Sequence, residues 1–172
     1  MSFPFLDRFP HLDILVIGDV MLDRYLQGSA TRLCQEAPVP VVTIADCQNV
    51  PGGAANTAVN LRSLGAQVSL ISAIGDDWEG TLLRQALLKY GVSTDYIGTD
   101  ADRSTLTKQR VMDGSSLLLR FDQGSTGAIA PDLEQQVVDR LNQRFPQSDA
   151  VLISDYGYGI LTPRVIQTIA HL

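Results

Sequence analysis

Apolar residues along this chain alternate between two rhythms. Residues 14–19, "ILVIGD", form an unbroken apolar run that ends in a glycine and an aspartate, the pattern of a short strand covered on both faces. In "NTAVNLRSLG", Ala55, Ala58, Val59 and Leu61 or Leu64 form a helical stripe, and Gly65 provides a stop. The strand pattern returns in "QVSLISAIGDD" and again in "SDAVLISDYGYG". Between them, "DWEGTLLRQALLKYG" predicts a helix with acid at its start and Lys89 in its last turn. "PDLEQQVVDRLNQRF" places Leu133, Val137, Leu141 and Phe145 at i, i+4 spacing behind a proline, and "PRVIQTIAHL" predicts a final helix capped by Thr162. Strands taking turns with helices imply an α/β fold whose parallel strands are joined by right-handed crossovers. In such a sheet the carboxyl ends of the strands line the ligand crevice, so Asp19, Asp76 and Asp155 are expected along one rim.

Two segments depart from this rhythm. Residues 24–49 carry β-branched runs interrupted by prolines, which suits edge strands or a small sheet standing off the main one, a flap. Residues 104–122 read as a hairpin around Asp113 and Gly114. There, Lys108 and Arg110 are two apart and share a face. A three-residue loop with a bulge would put Arg120 opposite Lys108 on that face, and a two-residue turn would send Arg120 to the other. The last helix stops at Leu172 with its apolar stripe unfinished, which predicts a fold cut off after its fourth or fifth strand.

"VPGGAANTAV" at 50–59 raises a chemical question, because paired glycines at a helix entrance are unfavourable unless the backbone takes an unusual angle or something must come close. A bound ligand and a tightly packed strand-to-helix turn both satisfy that condition. Composition narrows the field. The 172 residues are 45% hydrophobic and 19% charged with a net charge of −6, so one core is expected and no basic stripe for nucleic acid or an anionic membrane. Apolar runs are too short to span a bilayer, and the first thirteen residues lack a signal peptide's basic start, so the cytoplasm is expected. Cys34 and Cys47 lack the spacing of a zinc or redox motif and are expected as reduced thiols; His11 and His171 stand alone and receive no role.

The motifs "VIGDVMLDRY", "EAPVPVV", "PGGAAN", "SLGA", "TKQRV" and "SDYGYG" occur in the order found in the ribokinase-like (pfkB) carbohydrate kinases, and the chain resembles that family over most of its length. The pairing of the first three is most similar to the heptose 7-phosphate kinases. The resemblance implies a ribokinase-like sheet flanked by helices, with residues 1–172 the N-terminal part of one kinase domain and residues 24–49 its β lid. It further implies ATP-dependent transfer to the anomeric oxygen of D-glycero-D-manno-heptose 7-phosphate, for ADP-heptose and lipopolysaccharide core synthesis. ATP and Mg2+ would serve the complete enzyme, and the lid would close over the sugar and pair subunits as a homodimer.

Carried onto this sequence, the resemblance assigns sugar contacts to Asp19, Asp23, Gly52, Gly53, Asn56 and Asp155. It gives a phosphate already on the sugar to Lys108, Arg110 and Arg120, whose ammonium and guanidinium donors suit phosphate oxygens. Tyr158 departs from the family, which usually has a lysine there. No segment matches the later glycine-alanine-glycine-aspartate motif that supplies the catalytic base, nor the magnesium-associated asparagine and glutamate motif. The expected partner is therefore a sugar phosphate, bound by a chain that alone transfers phosphate negligibly. A complete sugar-phosphate binding module is the alternative, and the absent dinucleotide fingerprint argues against an oxidoreductase.

Overall fold

A computed structural model describes residues 6–172; the first five residues of the stretch read for a signal peptide lie outside it. β1 (Asp13–Gly18) lies between β4 (Gln67–Gly75) and β8 (Ala150–Ser154), parallel to both. β5 (Ile97–Asp100), which the hydrophobic pattern does not mark, adds a fourth parallel strand beside β4. The other four strands form a second sheet in the order β3-β2-β6-β7: β2 (Val20–Leu33), β3 (Pro40–Gly53), β6 (Thr107–Asp113) and β7 (Ser116–Gln123). The expected flap is thus wider than residues 24–49 and includes the hairpin, because β6 pairs in parallel with β2 from Leu22 to Gly28. Pro40 and Pro51 lie on the edge strand β3, where a missing N–H is tolerated.

Helices cover both faces of the parallel sheet. α1 (Ala54–Ser63) and α2 (Trp78–Lys89) enclose one core, in which Ala55, Ala58, Leu83 and Leu87 meet Ile14, Val16, Leu70 and Ile74. α3 (Pro131–Arg144) and α4 (Pro163–His171) close the other, with Leu133, Val137, Leu141 and Val165 against Leu15, Ile17 and Ile71. The i, i+4 stripe of α3 is therefore buried except at Phe145, which falls in a following 3-10 turn. Among the described residues β8 is the edge of this sheet, and Leu152 and Ile153 on it are exposed.

Asp77 caps α2. Its Oδ1 accepts from Gly80 N and Thr105 Oγ1, and its Oδ2 from Thr105 N, each at 2.7 Å, which ties the helix entrance to the segment that leads into β6. Thr162 caps α4 as expected, accepting from Val165 N at 3.3 Å.

Candidate functional site

The two sheets meet where β1 leaves the parallel sheet and turns directly into β2. Asp19 sits at that junction and is 1% exposed. Its Oδ2 accepts from Tyr156 N at 2.8 Å and Tyr158 N at 3.1 Å, and its Oδ1 from Ile160 N at 3.2 Å. Both carboxylate oxygens are thus occupied by the loop after β8. Expected as a sugar contact on the rim, Asp19 is instead turned inward, and its position is that of an anchor for residues 156–160.

The same loop is gripped by a residue that the sequence reading did not single out. Arg103, 8% exposed, donates to the backbone carbonyls of Tyr158 at 2.6 Å, Gly127 at 2.9 Å and Ser125 at 3.3 Å. Burial lowers its pKa from the ordinary arginine value, and the charges of Asp19 and Asp100 oppose that shift. The peptide around Tyr158 therefore gives its N–H to a buried carboxylate and its carbonyl to a buried guanidinium. An arginine in "ADRS" carries no periodic signal, so only the fold reveals this function.

The paired glycines close β3 and do not form the first helical turn; Gly53 is the N-cap of α1 with φ +59°. A side chain at Gly52 would strike the Asp23 carboxylate, and one at Gly53 would strike the Asp19 carbonyl and Met21 Cε. Ala54 N donates to that carbonyl at 2.9 Å. Close approach is therefore required, and on the Cβ side of both glycines protein atoms make it. Asn56, on the first turn of α1, is exposed and its Oδ1 accepts from Asn60 Nδ2 at 3.3 Å. Asp155 is exposed; its Oδ1 accepts from Gly157 N at 2.8 Å, and it borders an apolar hollow with Ile153, Leu161 and Ile166. Asp76, exposed, directly follows β4 as Asp19 follows β1 and Asp155 follows β8, so the three aspartates stand at the carboxyl ends of neighbouring parallel strands as expected, with Asp19 buried and the other two exposed.

The basic residues, by contrast, are brought together. In the β2–β6–β7 register, Asp23 stands beside Lys108, Tyr25 beside Arg110, Lys108 beside Asp122 and Arg110 beside Arg120, so all share one face. The hairpin turn has two residues, Gly114 and Ser115, which alone would send Arg120 to the opposite face. A bulge on β7 between the Val111 and Met112 pairs shifts the register by one and restores it, and Arg120 ends opposite Arg110, not Lys108.

Like charges directly opposite repel, and two carboxylates offset them. Arg110 Nη1 donates to Asp23 Oδ1 at 2.6 Å, with its guanidinium carbon 5.1 Å from the centre of the Tyr25 ring. Arg120 forms a two-point pair with Asp122 at 2.9 and 2.6 Å. The hydrogen bond from Arg120 holds the Asp122 carboxyl below the usual carboxylate range; partial burial works against this, and the charges of Arg120, Lys108 and Arg110 add to it. The same pairing raises Arg120 above its ordinary value. Lys108 has no carboxylate partner in this set; its Nζ lies 5.5 Å from the ring centres of both Tyr156 and Tyr158. Lys108 thereby joins the second sheet's charged face to the loop that Asp19 and Arg103 hold.

An open parallel sheet with a second sheet rising from its strand ends, carrying a basic face toward the β8 loop, is the layout of a small-molecule site. Comparison with known proteins places it: residues 11–167 match the pfkB family of carbohydrate kinases, and the chain belongs to that family. It is 40% identical over 167 residues to the bifunctional protein HldE of Citrifermentans bemidjiense, covering 97% of this chain and 34% of that one. It is 41% identical over 155 residues to HldE of Geobacter sulfurreducens, covering 90% and 32%. The chain thus spans about a third of the length of these relatives. Among solved structures, a carbohydrate kinase from Agrobacterium tumefaciens superposes with a TM-score of 0.66 at 23% identity, covering 93% of this chain and 49% of that one. Phosphofructokinase-2 from Escherichia coli in complex with fructose-6-phosphate gives 0.66 at 20% identity, covering 93% and 51%. These likenesses show the ribokinase-like fold.

Proposed function

We propose that this chain is the sugar-binding part of an ATP-dependent sugar-phosphate kinase, with D-glycero-D-manno-heptose 7-phosphate as acceptor and its anomeric oxygen as the site of transfer. The observation that carries this reading is the convergence of Lys108, Arg110 and Arg120 on one face in a chain whose net charge is −6. Three cations against Asp23 and Asp122 leave that face net positive, which suits a dianionic phosphate. Arg110 would exchange Asp23 for the phosphate, freeing a carboxylate on β2 to accept a sugar hydroxyl. Gly52, Gly53 and Asn56 would border the sugar from the entrance of α1, and Asp155 from the end of β8.

ATP would supply the phosphoryl group in the complete enzyme. The residues described here do not fit its magnesium ion: Asp19 and Asp122 are already engaged, and no three His, Cys, Asp or Glu side chains gather to hold a metal among the described residues. This chain's part is to bind and orient the acceptor. Lid closure by the second sheet would exclude water. Leu117 and Leu119 on that sheet are more than half exposed, which supports a homodimer formed through it. None of the described helices is long and apolar enough to cross a membrane, consistent with the cytoplasmic setting we propose.

Calorimetric titration tests the reading. The heptose 7-phosphate is expected to bind and the unphosphorylated heptose to bind at least about tenfold more weakly, with Arg110→Gln removing about tenfold of the phosphate's advantage. Equal affinity for both sugars, or an unchanged Arg110→Gln variant, would refute it.

A further inference from the structure

We infer that Tyr156 and Tyr158 form a stacking platform for the ring of a phosphorylated sugar, with Lys108 as the cation that passes from the rings to the sugar's phosphate. The inference rests on the sugar-phosphate reading above and deepens it, because neither tyrosine is among the residues assigned there. The two rings are parallel to within 10°, with centres 6.4 Å apart. Tyr156 is half exposed, so its ring is open to a ligand.

The backbone beneath is fixed independently of the rings. Asp19 takes the N–H groups of Tyr156, Tyr158 and Ile160, and Arg103 donates to the carbonyl of Tyr158. Gly157 and Gly159 adopt φ +73° and +94°, so each tyrosine alternates with a left-handed glycine. Two buried charges thus hold a loop whose most prominent side chains are two aromatics, Tyr156 exposed and Tyr158 partly buried. Such rigidity serves recognition, since a platform ordered before binding loses little entropy when it binds.

The chemistry of the platform selects its ligand. An aromatic face is electron-rich and attracts cations or the weakly positive C–H groups on one side of a sugar ring. At present the face is satisfied by Lys108 Nζ, 5.5 Å from each ring centre. Lys108 stands beside Asp23 and opposite Asp122 on the basic face, so a phosphate reaching Arg110 would also draw the ammonium. A ligand with both an anion and a C–H face satisfies both elements together; a free phosphate satisfies only one.

The test is an NMR titration of the chain with D-glycero-D-manno-heptose 7-phosphate and, separately, inorganic phosphate, for wild type and Tyr156→Ala, Tyr158→Ala, Tyr158→Leu and Tyr158→Phe. Each alanine variant is expected to raise the Kd for the sugar phosphate about three- to tenfold and leave inorganic phosphate unchanged, with the leucine variant similarly weakened and the phenylalanine variant like wild type. If Tyr158→Ala does not fold, the Leu and Phe pair decides the question. The platform is refuted if the folded variants bind the sugar phosphate as wild type does, if Phe fails as Leu does, or if inorganic phosphate weakens in parallel. Wild type binding the sugar phosphate no more tightly than inorganic phosphate would overturn the sugar-phosphate reading itself, and the platform with it.

Discussion

The loop after β8 and the charged face of the second sheet meet at Lys108 but are stabilised in opposite ways. Residues 156–160 are tied to two buried charges, Asp19 and Arg103, through backbone hydrogen bonds that no ligand can displace without opening the core. On the sheet, Asp23–Arg110 and Arg120–Asp122 are side-chain pairs near solvent, in which each charge can exchange its partner for a ligand. One region supplies fixed geometry and the other supplies exchangeable charge. Asp19 and Asp23 are four residues apart, yet the first gives both oxygens to buried backbone N–H groups and the second pairs with an arginine side chain near solvent.

The largest effect should come from breaking the fixed half. Asp19→Ala leaves three loop N–H groups without their acceptor and removes a charge that offsets Arg103, so we expect a loss of about 3–5 kcal/mol in urea unfolding. Arg103→Met should cost about 2–3 kcal/mol by stranding the carbonyls of Tyr158 and its neighbours. Arg110→Gln, on the exchangeable half, should change stability by less than about 1 kcal/mol. The contrast fails if the three variants unfold at similar denaturant concentrations.

A smaller effect probes the junction between the halves. Gly53 and Gly114 have nearly the same φ, +59° and +56°, but a side chain at Gly53 meets the Asp19 carbonyl and Met21, while nothing lies within 4 Å at Gly114. Gly114→Ala should cost about 1 kcal/mol from backbone conformation alone. Gly53→Ala should cost about 1–3 kcal/mol more, because its ψ of −132° lies outside the left-handed region that alanine can enter and because the turn must also move off Asp19. Equal melting temperatures for the two variants would show that the paired glycines do not serve packing.

How much of this was legible beforehand follows from which signals are local. The parallel strands, the stripes of α1 to α3 and the caps at Thr162 and Gly65 could be read because each depends on residues within one or two turns. The family, too, was readable from short ordered motifs such as "PGGAAN" and "SDYGYG". The inward turn of Asp19 was not, because its partners lie 137 to 141 residues away. Nor was the position of Arg120. The shared face was expected, but it arises from a two-residue turn combined with a bulge, and "SSLLLRF" gives no hint of which leucine is the extra residue. β5 was missed because "YIGTD" is too short to show a period.

The smallest effect tests whether the charged face works as one unit. Asp122 is held below the usual carboxylate range chiefly by its hydrogen bond from Arg120, with Lys108 and Arg110 contributing at longer range. Since its pKa is depressed on folding, the pair stabilises the folded state above the ordinary aspartate pKa, and that contribution disappears as pH falls through the lower, folded value. The pair is solvent-exposed, so the change in stability is small and side-chain carboxyl NMR is the sharper measurement. Arg120→Gln should return the Asp122 titration most of the way toward ordinary aspartate, and Lys108→Met should move it in the same direction by less. If Lys108→Met leaves the Asp122 titration where it was, the lysine belongs electrostatically to the tyrosine loop alone, and the two halves of the site meet only through a ligand.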